Sequence, residues 1–210
     1  MNFAHIFSPG DCPVCGMEDL VSGHCCDSCR ALMDPGVRLM EERLPHIVAG
    51  ASIFSHTAAV REIYRRYKFG HEGYLYHVFG EMAAQGLEEL GWEGKLVWIP
   101  TTPAKVRLRG YGPVERVARE VARLTGKNAL DVLSFRRKVK DQIGLGRSRR
   151  WENLSGAFVS KRVSGPVILM DDLLTTGATA VNAARALREA GAEEIRLLVL
   201  MKAGALPPNP

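Results

Sequence analysis

Two places in the chain gather side chains able to do chemistry. One is Asp171-Asp172, which follows the apolar run Val167-Ile-Leu-Met170 and precedes Leu173-Leu174-Thr175-Thr176-Gly177-Ala178-Thr179. A strand of this kind carries both carboxylates to the carboxyl edge of a sheet, where open α/β folds bind ligands. Gly177 lets the backbone wrap closely around an anion, and unpaired N–H groups at the start of the following helix point toward it. Thr175, Thr176 and Thr179 add hydroxyl donors. One turn thus suits a phosphate, with two acids beside it for vicinal hydroxyls or a metal.

The other place is Cys12-Pro-Val-Cys15 and Cys26-Asp-Ser-Cys29, separated by ten residues; all five cysteines fall within residues 12–29. Each Cys-x-x-Cys pair forms a tight knuckle presenting two thiolates, so two pairs suit one tetrahedral Zn²⁺. Pro13 stiffens the first knuckle and Gly16 permits the turn after it. A pair of disulfides is the alternative, and it fits poorly with a chain that lacks a secretion signal. Cys25 is spare, and either it or His24 can shift the register of ligation. Closed four-thiolate sites usually hold a small fold together and do no chemistry. Residues 1–50 carry three basic and seven acidic side chains, which opposes a nucleic-acid-binding finger. A structural or partner-docking ribbon is expected, its zinc held by Cys12, Cys15, Cys26 and Cys29.

Around these centres lie 210 residues, 46% hydrophobic and 24% charged, with a net charge of +5. That small sum hides an uneven distribution. Residues 51–94 hold four basic against six acidic side chains, residues 95–150 hold fifteen against four, and residues 151–210 balance at six each. An anionic ligand is therefore expected at the middle of the chain. No apolar run approaches the roughly 18 residues a membrane helix needs. The start lacks the basic flank and long apolar core of a signal peptide, which predicts a cytoplasmic protein without membrane insertion.

The elements that must position these groups alternate from residue 50 onward. Val60, Ile63, Tyr64 and Tyr67 repeat at helical spacing, and a second helix is expected over 75–90. Lys95–Ile99 reads as a strand stopped by Pro100. Val114, Val117, Ala118, Val121 and Ala122 mark a helix ending near Gly126. Residues 129–135 read as a strand, 167–170 as a short buried strand, 177–190 as a helix closed by Gly191, and 195–201 as a last strand. Such alternation predicts an α/β protein with a parallel sheet flanked by helices. Leu32–Ala49, with Pro35-Gly36 and Pro45, reads as a connector holding at most one short helix.

Val167–Thr179 resembles, over all thirteen positions, the phosphoribosyl pyrophosphate (PRPP) signature of type I phosphoribosyltransferases. The four-cysteine segment, Arg61-Glu-Ile-Tyr-Arg-Arg-Tyr-Lys-Phe-Gly70, Ile99-Pro-Thr-Thr-Pro103 and Arg107-Leu-Arg-Gly-Tyr111 extend the likeness to the competence-associated ComF family. Gln142, Leu145, Arg149, Arg150, Asn153 and Gly156-Ala-Phe158 extend it further. Relatives usually carry Arg-Gly-Phe-Asn-Gln where this chain has Arg109-Gly110-Tyr111-Gly112-Pro113, so the contacts of those two amides are lost here.

The resemblance implies a type I phosphoribosyltransferase fold over residues 50–210, preceded by a zinc ribbon and connector over 1–49. It implies that Asp171 and Asp172 contact the ribose hydroxyls and that Leu174, Thr175, Thr176, Gly177, Ala178 and Thr179 cradle the 5′-phosphate. The loop Pro100–Gly112, with Thr101, Thr102, Lys105, Arg107 and Arg109, is expected to meet the pyrophosphate. A flexible lid over 136–150, with Arg137 and Lys138, is expected to close on it and exclude water. The implied reaction transfers phosphoribosyl from PRPP, with Mg²⁺, to an unidentified base or nucleotide-like nitrogen acceptor, releasing pyrophosphate. The rival use of the basic segment is single-stranded DNA or a DNA-uptake partner, held by a non-catalytic PRPP-binding protein. Tyr111, Phe135 and Trp151 are candidate stacking faces for that use. Arg116, Arg119 and Arg123 read as a solvated face.

Overall fold

The computed structural model describes residues 11–17, 24–136, 154 and 156–204. Eight strands are found there: β1 (Pro35–Leu39), β2 (Ala49–Phe54), β3 (Lys95–Trp98), β4 (Ala129–Leu130), β5 (Leu133–Phe135), β6 (Phe158–Ser160), β7 (Gly165–Leu174) and β8 (Ala192–Lys202). Six form one sheet in the order β1-β2-β8-β7-β3-β4, parallel throughout except for the antiparallel edge pair β1–β2. Helices α1 (Asp27–Met33), α2 (Ala58–Phe69), α3 (Tyr76–Leu90), α4 (Pro103–Arg109), α5 (Pro113–Thr125) and α6 (Ala178–Glu189) complete the described chain, with a 3₁₀ turn at Gly73–Leu75. This is the mixed α/β class with a mainly parallel sheet that the alternation predicts.

The central strands are apolar at successive positions because both faces are covered. Leu96, Trp98, Ile168, Met170, Leu198 and Leu200 point into one core, with Val60, Tyr64 and Tyr67 of α2, Phe79 and Leu87 of α3, and Val117 and Val121 of α5. Val97, Val167, Leu169, Ile195, Leu197 and Val199 point into a second core, with Ala180, Ala183, Ala184 and Leu187 of α6. Side chains on a strand alternate faces. The next two residues of β7 must therefore part company: Asp171 continues the Leu169 row and Asp172 the Met170 row.

Three local readings differ from this architecture. The expected connector 32–49 supplies β1, which pairs with β2 through Arg38 opposite Ser52 and Leu39 opposite Ala51. Five residues opening on Pro-Gly show no alternation of their own, and pairing alone makes them a strand. Residues 129–135 are two strands: β4 adds to β3, while β5 turns away to pair with β6. Pro100–Gly112, read as a loop, contains α4, with Thr102 at its N-cap, Pro103 in the first turn and Gly110 as its left-handed C-cap. α4 buries none of its side chains, so the apolar periodicity that reveals a helix is missing.

The segment around the cysteines joins the first core. Cys12, Val14, Cys25 and Cys29 are buried in the cluster that includes Ile53 and Phe79. Arg66 of α2 clamps the two parts: its Nη1 donates to Val14 O at 2.7 Å, and its Nε and Nη2 donate to the Glu72 carboxylate.

Candidate functional site

β7 pairs with β3 on one side and β8 on the other, and its last residues emerge at their carboxyl ends. Asp171, opposite Val199, is only 9% exposed. Its Oδ1 accepts the Asp172 N–H at 2.8 Å. Burial, followed by the neighbouring Asp172 charge, pushes the Asp171 carboxyl up to about 8.

Asp172 lies on the opposite face and meets α2. Tyr64 Oη donates to Asp172 Oδ2 at 2.9 Å, and Lys68 Nζ donates to the same oxygen. Burial acts to raise this carboxyl, but the Lys68 ammonium and the two hydrogen bonds outweigh it and hold it below the ordinary range. The buried Tyr64 hydroxyl is correspondingly pushed far up. The carboxyls of two adjacent acids are thus shifted in opposite directions, decided by the faces they occupy. One that holds its proton more tightly beside one that holds it less tightly suits a pair of vicinal hydroxyls.

Neither Tyr64 nor Lys68 is among the expected site residues. The signal lay in Arg61–Gly70, which carries family resemblance. Its spacing of four between Tyr64 and Lys68 puts both on one helical face.

The turn after the acids is built as expected. Gly177 has φ +78° and N-caps α6, and Val181 N–H returns to Gly177 O at 2.9 Å. A Cβ at 177 would also lie 2.9 Å from Leu44 Cδ2, the end of a flexible side chain, so it is the left-handed backbone that calls for glycine. Thr176 Oγ1 accepts the Ala178 N–H at 3.4 Å, closing the turn from within. The first-turn N–H groups of this twelve-residue helix face the carboxyl side of the sheet, next to Asp171 and Asp172.

Thr101 and Thr102 follow β3, the neighbour of β7, and Lys105, Arg107 and Arg109 lie on α4. The α4 end meets the α2 end: the Arg109 guanidinium sits 4.5 Å from the centroid of Phe69, the residue after Lys68. Tyr111 Oη donates to Tyr67 O, and Tyr67 Oη to Pro113 O at 2.8 Å. Tyr111 therefore ties the basic segment to α2. Arg116 stacks on Tyr111 at 4.3 Å and Arg119 on Trp98 at 4.7 Å, so these arginines are partnered rather than merely solvated. Phe135 packs on Phe158, ring centroids 5.0 Å apart. Arg137, Lys138 and Trp151 lie outside the described residues.

At the cysteine segment, the sulfurs of Cys12, Cys15, Cys26 and Cys29 all lie within 4.8 Å of one another. Cys15 Sγ and Cys26 Sγ are 3.8 Å apart. Two ligands of a tetrahedral Zn²⁺ with Zn–S near 2.3 Å are about 3.8 Å apart, whereas a disulfide needs about 2.05 Å. All five cysteines are free thiols. Burial pushes the Cys12 thiol up, but N–H groups of Cys26, Cys15 and Val14 outweigh it and bring it down to about 7. Burial pushes the Cys15 and Cys29 thiols up instead, so it is the spacing of the four sulfurs that allows them to hold a metal such as zinc. Cys25 is buried, and its thiol is pushed up to about 12, so it stays a neutral core residue.

Among the described residues no helix is long and apolar enough to cross a membrane.

A mainly parallel sheet presenting an acid pair and a glycine turn at its carboxyl edge, beside a four-cysteine cluster, is the combination the motifs predict. The chain is similar to the competence protein ComFC of Streptococcus pneumoniae (strain ATCC BAA-255 / R6): 29% identical over 194 residues, covering 91% of this chain and 80% of that one. The resemblance to the ComF family drawn from the motifs is borne out by this relative. No protein-family model matches the chain. Among solved structures, the allosteric regulatory enzyme of purine biosynthesis aligns at TM-score 0.42 and 21% identity, over 60% of this chain and 26% of that one. The glutamine PRPP amidotransferase from B. subtilis, complexed with ADP and GMP, aligns at TM-score 0.39 and 25% identity, over 58% and 25%. The chain thus matches about a quarter of the length of either enzyme, and its fold class rests on the strand order above.

Proposed function

We propose that this protein binds PRPP at the carboxyl edge of β7 and transfers its phosphoribosyl group to a nitrogen acceptor, releasing pyrophosphate, in a role connected with competence. The observation that carries this reading is the placement of Asp171 and Asp172 directly before the Gly177 turn, with Tyr64 and Lys68 both on the Asp172 carboxylate. The ribose hydroxyls would meet one carboxyl that holds its proton and one carboxylate held ionised by Lys68 and Tyr64. The 5′-phosphate would take the first-turn N–H groups of α6 and the hydroxyls of Thr175, Thr176 and Thr179. The competence role is supported by the pneumococcal relative.

Displacement at the sugar C1 builds positive charge on the ring and negative charge on the departing pyrophosphate. No side-chain nucleophile is needed: holding and orienting the two ends supplies the rate. The carboxylate opposes the ring charge. Thr101, Thr102 and the α4 cations Lys105, Arg107 and Arg109, with Arg137 and Lys138, would receive the leaving group. Mg²⁺ would supply further charge neutralisation on the pyrophosphate. The cysteine-bound zinc would be structural, and residues 1–49 would act as the ribbon unit beside a 50–210 transferase unit.

Protein incubated with Mg²⁺, PRPP and a panel of nitrogenous bases should release pyrophosphate in an acceptor-dependent manner. Tight PRPP binding without such release would replace the enzyme by a PRPP-binding accessory protein. The fifteen basic residues of 95–150 favour single-stranded DNA as its partner in that case. DNA affinity should then fall steeply with salt and drop on neutralising Arg137, Lys138 and Arg149.

A further inference from the structure

His24, His77 and Glu120 come together on the α3–α5 side of the molecule, remote in sequence from one another. One ligand atom from each lies within 4.8 Å of the other two. His77 Nδ1 is 2.9 Å from Glu120 Oε1, and the His24 and His77 rings lie 5.0 Å apart, tilted by 31°. Three separate elements supply them: the segment before Cys25, the first turn of α3, and the middle of α5.

We propose that these three residues form a second metal site, for a divalent transition ion of zinc's class, independent of the four cysteines. Two imidazoles and a carboxylate are a donor set suited to zinc and its neighbours, and three protein ligands leave a fourth position for water. Ligand bonds of about 2.0–2.1 Å place tetrahedral N and O donors about 3.4 Å apart. The observed spacings, from 2.9 to at most 4.8 Å, bracket that value, so binding needs side-chain adjustments rather than backbone movement.

The site has a rigid floor. Glu120 is 5% exposed, and its stem packs on Gly80, where a Cβ would approach Glu120 Cγ to 2.6 Å. His24 is anchored by its backbone N–H, which donates to Glu81 Oε2 at 2.9 Å. The Glu120 charge is balanced by Arg123, whose Nε and Nη2 each lie 2.9 Å from the carboxylate. Arg123 is 62% exposed and can swing into solvent when a cation arrives. The ion would then join the cysteine segment to α3 and α5.

Cobalt(II) titration of the metal-stripped full-length protein tests this, because thiolate and nitrogen–oxygen sites give different spectra. Wild type should take two equivalents, one with strong thiolate charge-transfer bands and one with weak ligand-field bands alone. His24→Gln and His77→Gln should each lose the weak-band equivalent and keep the thiolate bands, which also reports that the variants fold. A single equivalent in wild type, or a weak-band equivalent that survives in both variants, would overturn the proposal and leave a hydrogen-bond network of His77, Glu120 and Arg123. Absent thiolate bands would count against the four-cysteine site and leave the weak band to decide this one.

Discussion

Lys68 of α2 and Asp172 of β7 stand 104 residues apart in sequence, and the lysine ammonium donates directly to the carboxylate. The pair is partly shielded and shares Asp172 Oδ2 with the Tyr64 hydroxyl. It holds one acid below the ordinary carboxylate range while burial pushes its neighbour up.

Lys68→Met should therefore destabilise the protein by about 1–3 kcal/mol at pH 7, read by urea denaturation, because a shielded carboxylate loses its cation. Asp172 is depressed in the fold, so its contribution is present above its unfolded pKa and disappears as pH falls through the folded one. The deficit of the variant should shrink in acid below about pH 4. A deficit independent of pH would show that Lys68 acts through packing alone.

Asp171 works with the opposite sign. Folded, it keeps its proton up to about 8; unfolded, it ionises near 4. The unfolded chain binds fewer protons across that window, so stability contributed here falls as pH rises from about 4 to about 8. Asp171→Asn keeps an oxygen for the Asp172 N–H and has no proton to lose. It should exceed wild type by about 1–2 kcal/mol at pH 8, with a smaller gain at pH 5. Equal stability at both pH values would contradict the assigned protonation.

Removing both acids should abolish their use as a ligand site. One hydrogen bond to an ionised carboxylate, at about 1.5–3 kcal/mol, and one to a carboxyl that holds its proton, at about 0.5–1.5 kcal/mol, correspond to a loss of about 30-fold or more. Calorimetric titration of Asp171→Asn/Asp172→Asn with PRPP and Mg²⁺ should show that loss. Wild-type affinity in the double variant would move the PRPP site elsewhere.

Gly177→Ala faces both a left-handed backbone and the Leu44 side chain. It should cost about 1–2 kcal/mol. Adding Leu44→Ala would relieve the contact and leave the backbone strain, so Gly177→Ala should still destabilise in that background. If the Leu44→Ala chain tolerates it freely, only the contact mattered.

Arg66 holds the carbonyl of Val14, midway along the first cysteine knuckle. Arg66→Gln should speed zinc loss to a chelator about tenfold, the scale on which outer contacts tune metal sites. An unchanged release rate would show that the knuckle is held by its own cysteines.

The placement of the two acids, the glycine turn and the clustered cysteines was legible in the sequence because each group is encoded locally. Asp171, Asp172 and Gly177 sit on one strand–turn–helix unit, and two Cys-x-x-Cys pairs bring their own knuckle geometry. The alternation of helix and strand signals likewise sufficed for a mainly parallel α/β sheet. β1 and α4 were not legible: one is a strand only because β2 lies beside it, and the other buries nothing. The difference between Asp171 and Asp172 was also out of reach. Adjacent identical residues have identical intrinsic acidities, and they part only because a strand turns them to opposite faces. Tertiary packing puts Tyr64 and Lys68 on the Asp172 side of the sheet and, among the described residues, gives the buried Asp171 no direct ion pair, so the difference between the two acids is a property of the fold.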